Sequence, residues 1–317
     1  MAVIGLGLMG RSIVACLLAA GHRVVGITND LTGNESTLQR IRVLLEEMRA
    51  EDLARQTTES LMARFRPSDN VKDAATCGII VESVTEDLDL KRSIFREVEA
   101  VVSPAAIIAS NTSAIPVSQL QQGAAHPERF IGLHWDEPAH VTRFMEVIPG
   151  PATSLESVQQ VVRLAPAWGK EPSVLKREIR GFITNRVSYA MFREACYLVD
   201  SGVCTVEDVD RSLRNDVGWW IPFAGPFRYM DLMGVEAYYR VMRDLLPDLS
   251  TSPEIPPLMR SVVESGGRGV TNGRGFYNYT DEEAKHWQEK FDEFNFKIRR
   301  LTGEYRDLHS PSNKRDE

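Results

Sequence analysis

The segment AVIGLGLMGRSIVACLLAAGHRVVGI, residues 2 to 27, decides the fold. Ala2-Val3-Ile4 is a short apolar, partly β-branched run suited to a buried strand. Met9 to Ala20 has the length and apolar pattern of a helix that Gly21 ends, and Arg23 to Ile27 reads as a second strand. Between strand and helix lies GLGLMG, Gly5 to Gly10, a match to GxGxxG. Glycine-rich hexapeptides are common in turns, so the match gains meaning from the strand before it and the helix after it. Gly5 permits a tight turn, Gly7 lets the backbone approach a pyrophosphate, and Gly10 lets helix and strand pack closely. Leu8 and Met9 then offer N–H groups at the positive end of the helix.

Working outward, Gly78 to Glu82 and Ala105 to Ala109 are further buried strands. The helix Asp87 to Val102 between them carries Ile94, Phe95, Val98 and Val101 at helical spacing. Strands alternating with helices predict an α/β fold, a doubly wound Rossmann domain with a parallel sheet. Phe130 to His134 and Phe144 to Ile148 add two short strands. After Pro172 to Lys176 the character changes. Phe182 to Val199 is apolar on most of its circumference, as in a helix buried in a bundle or at a subunit interface. Thr205, with Asp208 three residues on, starts another helix in a variant of the capping box. Helical patterns over Phe227 to Leu246 and Leu258 to Ser265, a glycine-rich turn segment and a charged helix from Asp281 to about Leu301 follow. The expected division is a Rossmann domain over 1–177, a smaller all-α substrate and dimerisation domain over 178–308, and a disordered tail over 309–317.

Composition narrows the function. A chain of 317 residues suits two domains, and 43% hydrophobic with 26% charged residues is the balance of a globular protein. A net charge of −7 with no basic stripe argues against a nucleic-acid partner. The longest apolar runs, such as Ile13 to Ala20, fall well short of a bilayer span, so a soluble protein without membrane attachment is expected. Cys16, Cys77, Cys196 and Cys204 form no CxxC pair and no metal-ligand spacing with histidine. Reduced thiols in the cytoplasm, and no metal, are the reading.

The second strand ends in Thr28-Asn29-Asp30. A site for NAD wants a carboxylate there for the adenosine ribose, yet Thr28 occupies the expected position and Asp30 comes two residues later. No Arg or Lys follows before Arg40 to meet a 2′-phosphate. NAD is the expected cofactor, with NADP left open. The stretch GLHWDEPAHVTRFMEV, residues 132 to 147, then gathers His134, Asp136, Glu137, His140, Arg143 and Glu146.

With that fingerprint joined to VESVTEDLDLK, SNTSAIP, GLHWDEPAHVTRFMEV, RGFITNR, AGPFRYMDLMG and GRGFYNY, the chain resembles the 3-hydroxyacyl-CoA dehydrogenase family over about residues 2 to 280. It is also similar to branches acting on free hydroxy acids, the L-gulonate and L-carnitine dehydrogenases. The resemblance implies His134 as catalytic base and Glu146 as its partner. Ser113 and Asn185 would hydrogen-bond the reacting oxygen and the imidazole. Glu86 and Lys91 would lie beside the cofactor, joined by Asn111, Ser113 and Glu137. The chemistry independently asks for such a set, because oxidising a secondary alcohol leaves a proton that a group titrating near neutrality must accept. Taken alone, a histidine at a strand end is more often a satisfied polar group, and Glu146 could point to solvent.

Where the family carries His-Phe-Phe-Asn-Pro, this chain has His134-Trp135-Asp136-Glu137-Pro138. A carboxylate at Glu137, if buried near His134, favours imidazolium, accepts from substrate hydroxyls or attracts a cation. Arg143 offers a fork for a substrate carboxylate, and His140, Trp219 and Trp220 offer walls. The expected function is an NAD(P)-dependent oxidoreductase for a polar 3-hydroxy acid, working as a homodimer through the helical domain. Two alternatives stay open: an acyl-CoA enzyme, which CoA competition would reveal, and a nucleotide-binding sensor without turnover.

Overall fold

The computed structural model describes residues 1–29 and 34–309. Asp30, part of the expected ribose site, and the tail from residue 310 lie outside the described residues. The elements run β1 (Ala2–Ile4), α1 (Leu8–Ala19), β2 (Val24–Ile27), α2 (Asn34–Ala50), α3 (Thr58–Met62), β3 (Phe65–Ser68), β4 (Ile79–Glu82), α4 (Leu88–Glu99), β5 (Ile107–Ser110), α5 (Val117–Leu120), β6 (Phe130–His134), β7 (Glu146–Pro149), α6 (Leu155–Leu164) and β8 (Ser173–Val174). The strands form one sheet in the order β3-β2-β1-β4-β5-β6-β7-β8. Every pairing is parallel except β6 with β7, so the sheet departs from the all-parallel expectation at one place. That exception sits at the site described below.

Strands β1, β4, β5 and β6 are buried along their whole length, which is why they read as unbroken apolar runs rather than alternating ones. Two apolar clusters cover the faces of the sheet. One joins Val3, Val24 and Val81 to Ile13, Leu17, Leu45 and Trp168. The other joins Ile4, Ile80 and Ile108 to Phe95, Val98 and Phe130. Each such side chain contributes about 1.5–3 kcal/mol when taken fully from water. The edge strand β3 escapes the sequence pattern because Arg66 and Pro67 interrupt it, and β8 because it is two residues long and exposed.

Contacts divide the chain into a unit over Met1–Arg186 and a second over Val187–Glu317, later than the expected boundary at 177–178. The reason is local. The start of α7 (Thr184–Asp200) is tied to the sheet by Glu146, which accepts from the Ile183 and Thr184 N–H groups, and by the Asn185 amide, which donates to the Ser113 carbonyl.

The second unit comprises the rest of α7, then α8 (Val206–Asn215), α9 (Val217–Met233), α10 (Val235–Leu245), α11 (Pro257–Glu264) and α12 (Asp281–Gly303). Thr205 with Asp208, and Thr280 with Glu283, form capping boxes at α8 and α12. The helix expected over 227–246 is two helices, since Gly234 at φ +106° ends α9 before α10 begins. The helix expected in a bundle or at a subunit interface, α7, buries only Cys196 among its described residues and exposes Val187, Tyr189 and Phe192. No described residue of α8 to α12 is buried. No helix among the described residues is long and apolar enough to cross a membrane.

Candidate active site

The sheet order reverses direction between β1 and β4, and a cleft of about 650 Å³ opens there. Crevices outside the carboxyl ends of parallel strands, at such a switch point, are where open α/β sheets bind ligands. Gly5, Leu6 and Gly7 after β1, Thr28 and Asn29 after β2, and Ser83, Val84 and Thr85 after β4 line it. Sequence reasoning missed Ser36, Asp69, Val71, Leu90 and Ile94, which also line it. They come from the starts of α2 and α4, from the body of α4 and from the residues after β3, which carry no fingerprint.

The glycines show what the cleft accepts. Gly5 stands at φ +90°, and a Cβ there would lie 2.5 Å from the Ser83 carbonyl oxygen. At Gly10 it would lie 1.8 Å from the Gly5 carbonyl oxygen, so this pair sets the close approach of α1 to the β1 turn. Gly7 differs: nothing lies within 4 Å of its would-be Cβ. Its backbone therefore borders open space at the mouth of α1, where no side chain caps the helix. Uncapped N–H groups at Leu8 and Met9, bordered by a bare glycine, fit a pyrophosphate.

Beside the cleft, β6 ends in His134 and the antiparallel β7 begins with Glu146, directly opposite in register. Cross-strand partners project to the same face. The eleven intervening residues thus place His134 Nδ1 2.8 Å from Glu146 Oε2, with both residues buried. The other oxygen, Oε1, accepts the N–H groups of Ile183 and Thr184, each at 2.9 Å. Gly181 at φ +80° and Phe182 at φ +51° turn the chain so that those donors face Glu146. The left-handed conformation at Phe182 costs about 1–3 kcal/mol. Its ring, 1% exposed and 5.6 Å from the His134 ring, offsets that by burial. Burial alone would push the Glu146 carboxyl up, but His134 and the two backbone donors hold it below the usual carboxylate range. With Nδ1 committed to a carboxylate, that nitrogen carries the proton and Nε2 is the one left to exchange.

Glu86 organises the neighbouring loop. Its Oε1 accepts the Thr112 hydroxyl at 2.5 Å and the N–H groups of Ser113 and Ala114 at 3.0 and 3.2 Å. Burial raises the Glu86 carboxyl, and these donors together with Lys91 more than reverse it. Lys91 itself is wholly enclosed. Its Nζ lies 2.7 Å from Glu82 and 3.4 Å from Glu86. A buried cation needs that pairing more than any surface contact. Asn111 likewise faces inward, donating to the Ser83 hydroxyl and accepting the Trp135 N–H.

His140, expected as a wall of the substrate site, and Arg143, expected as a fork for its carboxylate, are both engaged by other side chains. The His140 ring is buried between Ser12 on α1 and Glu47 on α2, 3.0 Å from each. Arg143 lies 3.5 Å from Glu171. Both serve to pin the 135–143 loop, as does Lys170, whose Nζ donates to the Ala139 and Thr142 carbonyls. Trp219 and Trp220 belong to the second unit, Trp219 84% exposed and Trp220 stacked on Tyr229 at 4.2 Å. Glu137 is half-buried, and its Oε2 is enclosed without a hydrogen-bond partner. Burial raises its carboxyl. The charges acting on it come from His140, Asp136 and Arg11 rather than from His134.

Family models agree with this architecture. The one for the 3-hydroxyacyl-CoA dehydrogenase NAD binding domain matches residues 1–179, and the one for its C-terminal domain matches 181–279. The chain belongs to the 3-hydroxyacyl-CoA dehydrogenase family. Among its relatives is the 5-formyl-3-hydroxy-2-methylpyridine 4-carboxylate 5-dehydrogenase of Mesorhizobium japonicum, 32% identical over 90% of this chain and 93% of that protein. A probable 3-hydroxybutyryl-CoA dehydrogenase of Bacillus subtilis is 33% identical over 89% and 98%. A crystal structure of a 5-formyl-3-hydroxy-2-methylpyridine 4-carboxylic acid 5-dehydrogenase, described as an NAD⁺ dependent dismutase, superposes with a TM-score of 0.89. It is 30% identical and covers 95% of this chain and 97% of its own. Like its family, the chain is an NAD-dependent oxidoreductase acting on a CH–OH group.

Proposed function

We propose that the site interconverts the alcohol and carbonyl forms of a small, polar 3-hydroxy acid or a close polar relative. The observation that carries the chemistry is the buried 2.8 Å bond between His134 Nδ1 and Glu146 Oε2. Bound NAD supplies the acceptor for the hydride leaving the carbinol carbon. His134 Nε2 takes the hydroxyl proton, and the Glu146 carboxylate holds Nδ1–H in place and stabilises the imidazolium that forms. Phe144 and Phe182, with ring centroids 5.3 and 5.6 Å from the imidazole, exclude water from it. The Ser113 and Asn185 side chains bind the reacting oxygen. Their backbone and amide positions are fixed by Glu86 and by the 2.9 Å bond from the Asn185 amide to the Ser113 carbonyl.

The polar substrate rests on Glu137. A half-buried carboxylate at this place suits a substrate hydroxyl or cationic group where a thioester tail does not. That one relative is named for a small pyridine carboxylate supports the same direction. The chain's similarity to 3-hydroxybutyryl-CoA dehydrogenases favours the acyl-CoA reading instead, and the experiment includes it.

Nicotinamide absorbance is followed with NAD and a panel of L-gulonate, L-carnitine, free 3-hydroxybutyrate, its CoA thioester and the pyridine aldehyde of the relative. Turnover of a free acid, abolished by His134→Ala, is expected, and Glu137→Asn should shift preference toward the thioester. Preference of the unaltered protein for the thioester would overturn the substrate assignment. Turnover that survives His134→Ala would overturn the base.

We also propose a homodimer through the second unit, in a reducing compartment such as the cytoplasm. Trp219 and Phe227 there are 84% and 80% exposed, large apolar surface that a second copy would cover. The four cysteines are all free thiols, which suits the compartment.

A further inference from the structure

Among the described residues the cleft has no carboxylate at the usual place, the end of β2, where Thr28 stands. The sheet register supplies one from the next strand. Ile27 of β2 pairs with Ser68 of β3, and the Thr28 N–H donates to the Ser68 carbonyl at 3.0 Å. Asp69, the first residue after β3, follows Ser68 as Thr28 follows Ile27, at the ends of neighbouring strands that lie about 4.8 Å apart. Ser68 turns inward and its hydroxyl binds Asp73 at 2.5 Å, whereas Asp69 is exposed and lines the cleft.

The charge around this half of the cleft is one-sided. Among the described residues that line it, the charged ones are Asp69 and Glu97, and none is Lys or Arg. Arg66, the cation on β3, is engaged by Asp73 at 2.8 Å. Glu97 lies on α4 together with Leu90 and Ile94, which gives it a place on the helical wall rather than at the strand ends.

We propose that Asp69 is the residue that selects NAD over NADP, accepting from the adenosine ribose hydroxyls and opposing a 2′-phosphate. The inference rests on the dehydrogenase reading for the identity of the cleft but not on any substrate. An exposed carboxylate facing the roughly two charges of a phosphate, in place of a hydroxyl to which it can bond, shifts relative affinity by about five- to tenfold.

The test is equilibrium titration of the full-length protein with NADH and with NADPH, read by nicotinamide fluorescence, for wild type, Asp69→Asn, Asp69→Ser, Asp30→Asn and Glu97→Gln. Wild type should prefer NADH. Asp69→Asn and Asp69→Ser should each narrow that preference by at least about fivefold, largely through tighter NADPH, with the other two variants moving it less than about twofold. An unchanged ratio in both Asp69 variants would overturn the proposal, as would a shift in Asp30→Asn equal to theirs. Since no substrate enters the titration, an error in the substrate assignment can neither create nor hide the shift. Failure of wild type to bind either nucleotide would overturn both the cofactor site and this inference.

Discussion

Replacing Glu146 by glutamine tests the dyad with almost no change of shape. Glu146 takes three hydrogen bonds on two oxygens: His134 Nδ1–H on Oε2 at 2.8 Å, and the Ile183 and Thr184 N–H groups on Oε1 at 2.9 Å each. An amide has one oxygen. If that oxygen stays with the backbone donors, the NH₂ faces His134 and forces Nδ1 to accept, which moves the ring proton to Nε2 and removes the base. If the amide turns over, two buried N–H groups meet an NH₂, at about 1–3 kcal/mol each, or about 2–6 kcal/mol together. The first arrangement wins, and its penalty falls on the tautomer rather than on folding. We expect kcat to fall about a thousand- to ten-thousandfold, with a stability loss no greater than about 3 kcal/mol. Steady-state rates on the substrate identified by the panel, NADH titration and thermal unfolding measure the three quantities. A kcat within about tenfold of wild type, with NADH binding intact, would refute the tautomer argument. The pH dependence adds a check. Because Glu146 is held below its ordinary value of 4.5, its stabilisation is fully present above that pH and is lost as pH falls through the lower folded value. The glutamine variant lacks that acid-side loss.

The opposite sign holds at Glu137, whose carboxyl is raised above 4.5 by burial. Its ionised form burdens the fold, so Glu137→Gln should raise Tm near neutral pH and lose that advantage as pH falls below the unfolded value. Thermal scans between about pH 4 and about pH 8 read it, and a variant less stable than wild type at neutral pH would refute the burial argument. At Lys91, removal of the cation leaves Glu82 buried and short of a partner 2.7 Å away. Lys91→Met should cost about 3–5 kcal/mol in denaturant unfolding, and Glu82→Gln in the same chain should recover part of it. A cost below about 1 kcal/mol would show that the pair is not shielded from solvent.

Much of the first unit is legible in the sequence because its strands are buried on both faces. Runs such as Ile79 to Val81 and Ile107 to Ala109 leave no alternative to a central parallel strand, and Gly5 and Gly10 fix the turn between β1 and α1. Edge elements are less legible. Phe65–Ser68 includes an arginine and a proline, and neither its strand nor the Asp69 that follows it stands out from a loop. The second unit is legible as helices through the capping box at Thr205 and the charged run that begins at Asp281. Its break at Gly234 is hidden because apolar spacing continues across it.

Residue order alone carries the dinucleotide fold and the list of polar residues near it, since turn geometry and burial are local demands on residue type. It could not say which of those residues face the cleft. His134 and Glu146 look alike in composition to His140 and Glu47, and both pairs lie at hydrogen-bond distance, 2.8 and 3.0 Å. The antiparallel register of β6 with β7 places one pair beside Phe182 and the Ile183 and Thr184 N–H donors. The packing of the 135–143 loop onto α1 and α2 turns the other into an internal brace. That choice is tertiary because it depends on which surfaces meet, and no property of a histidine along the chain records it.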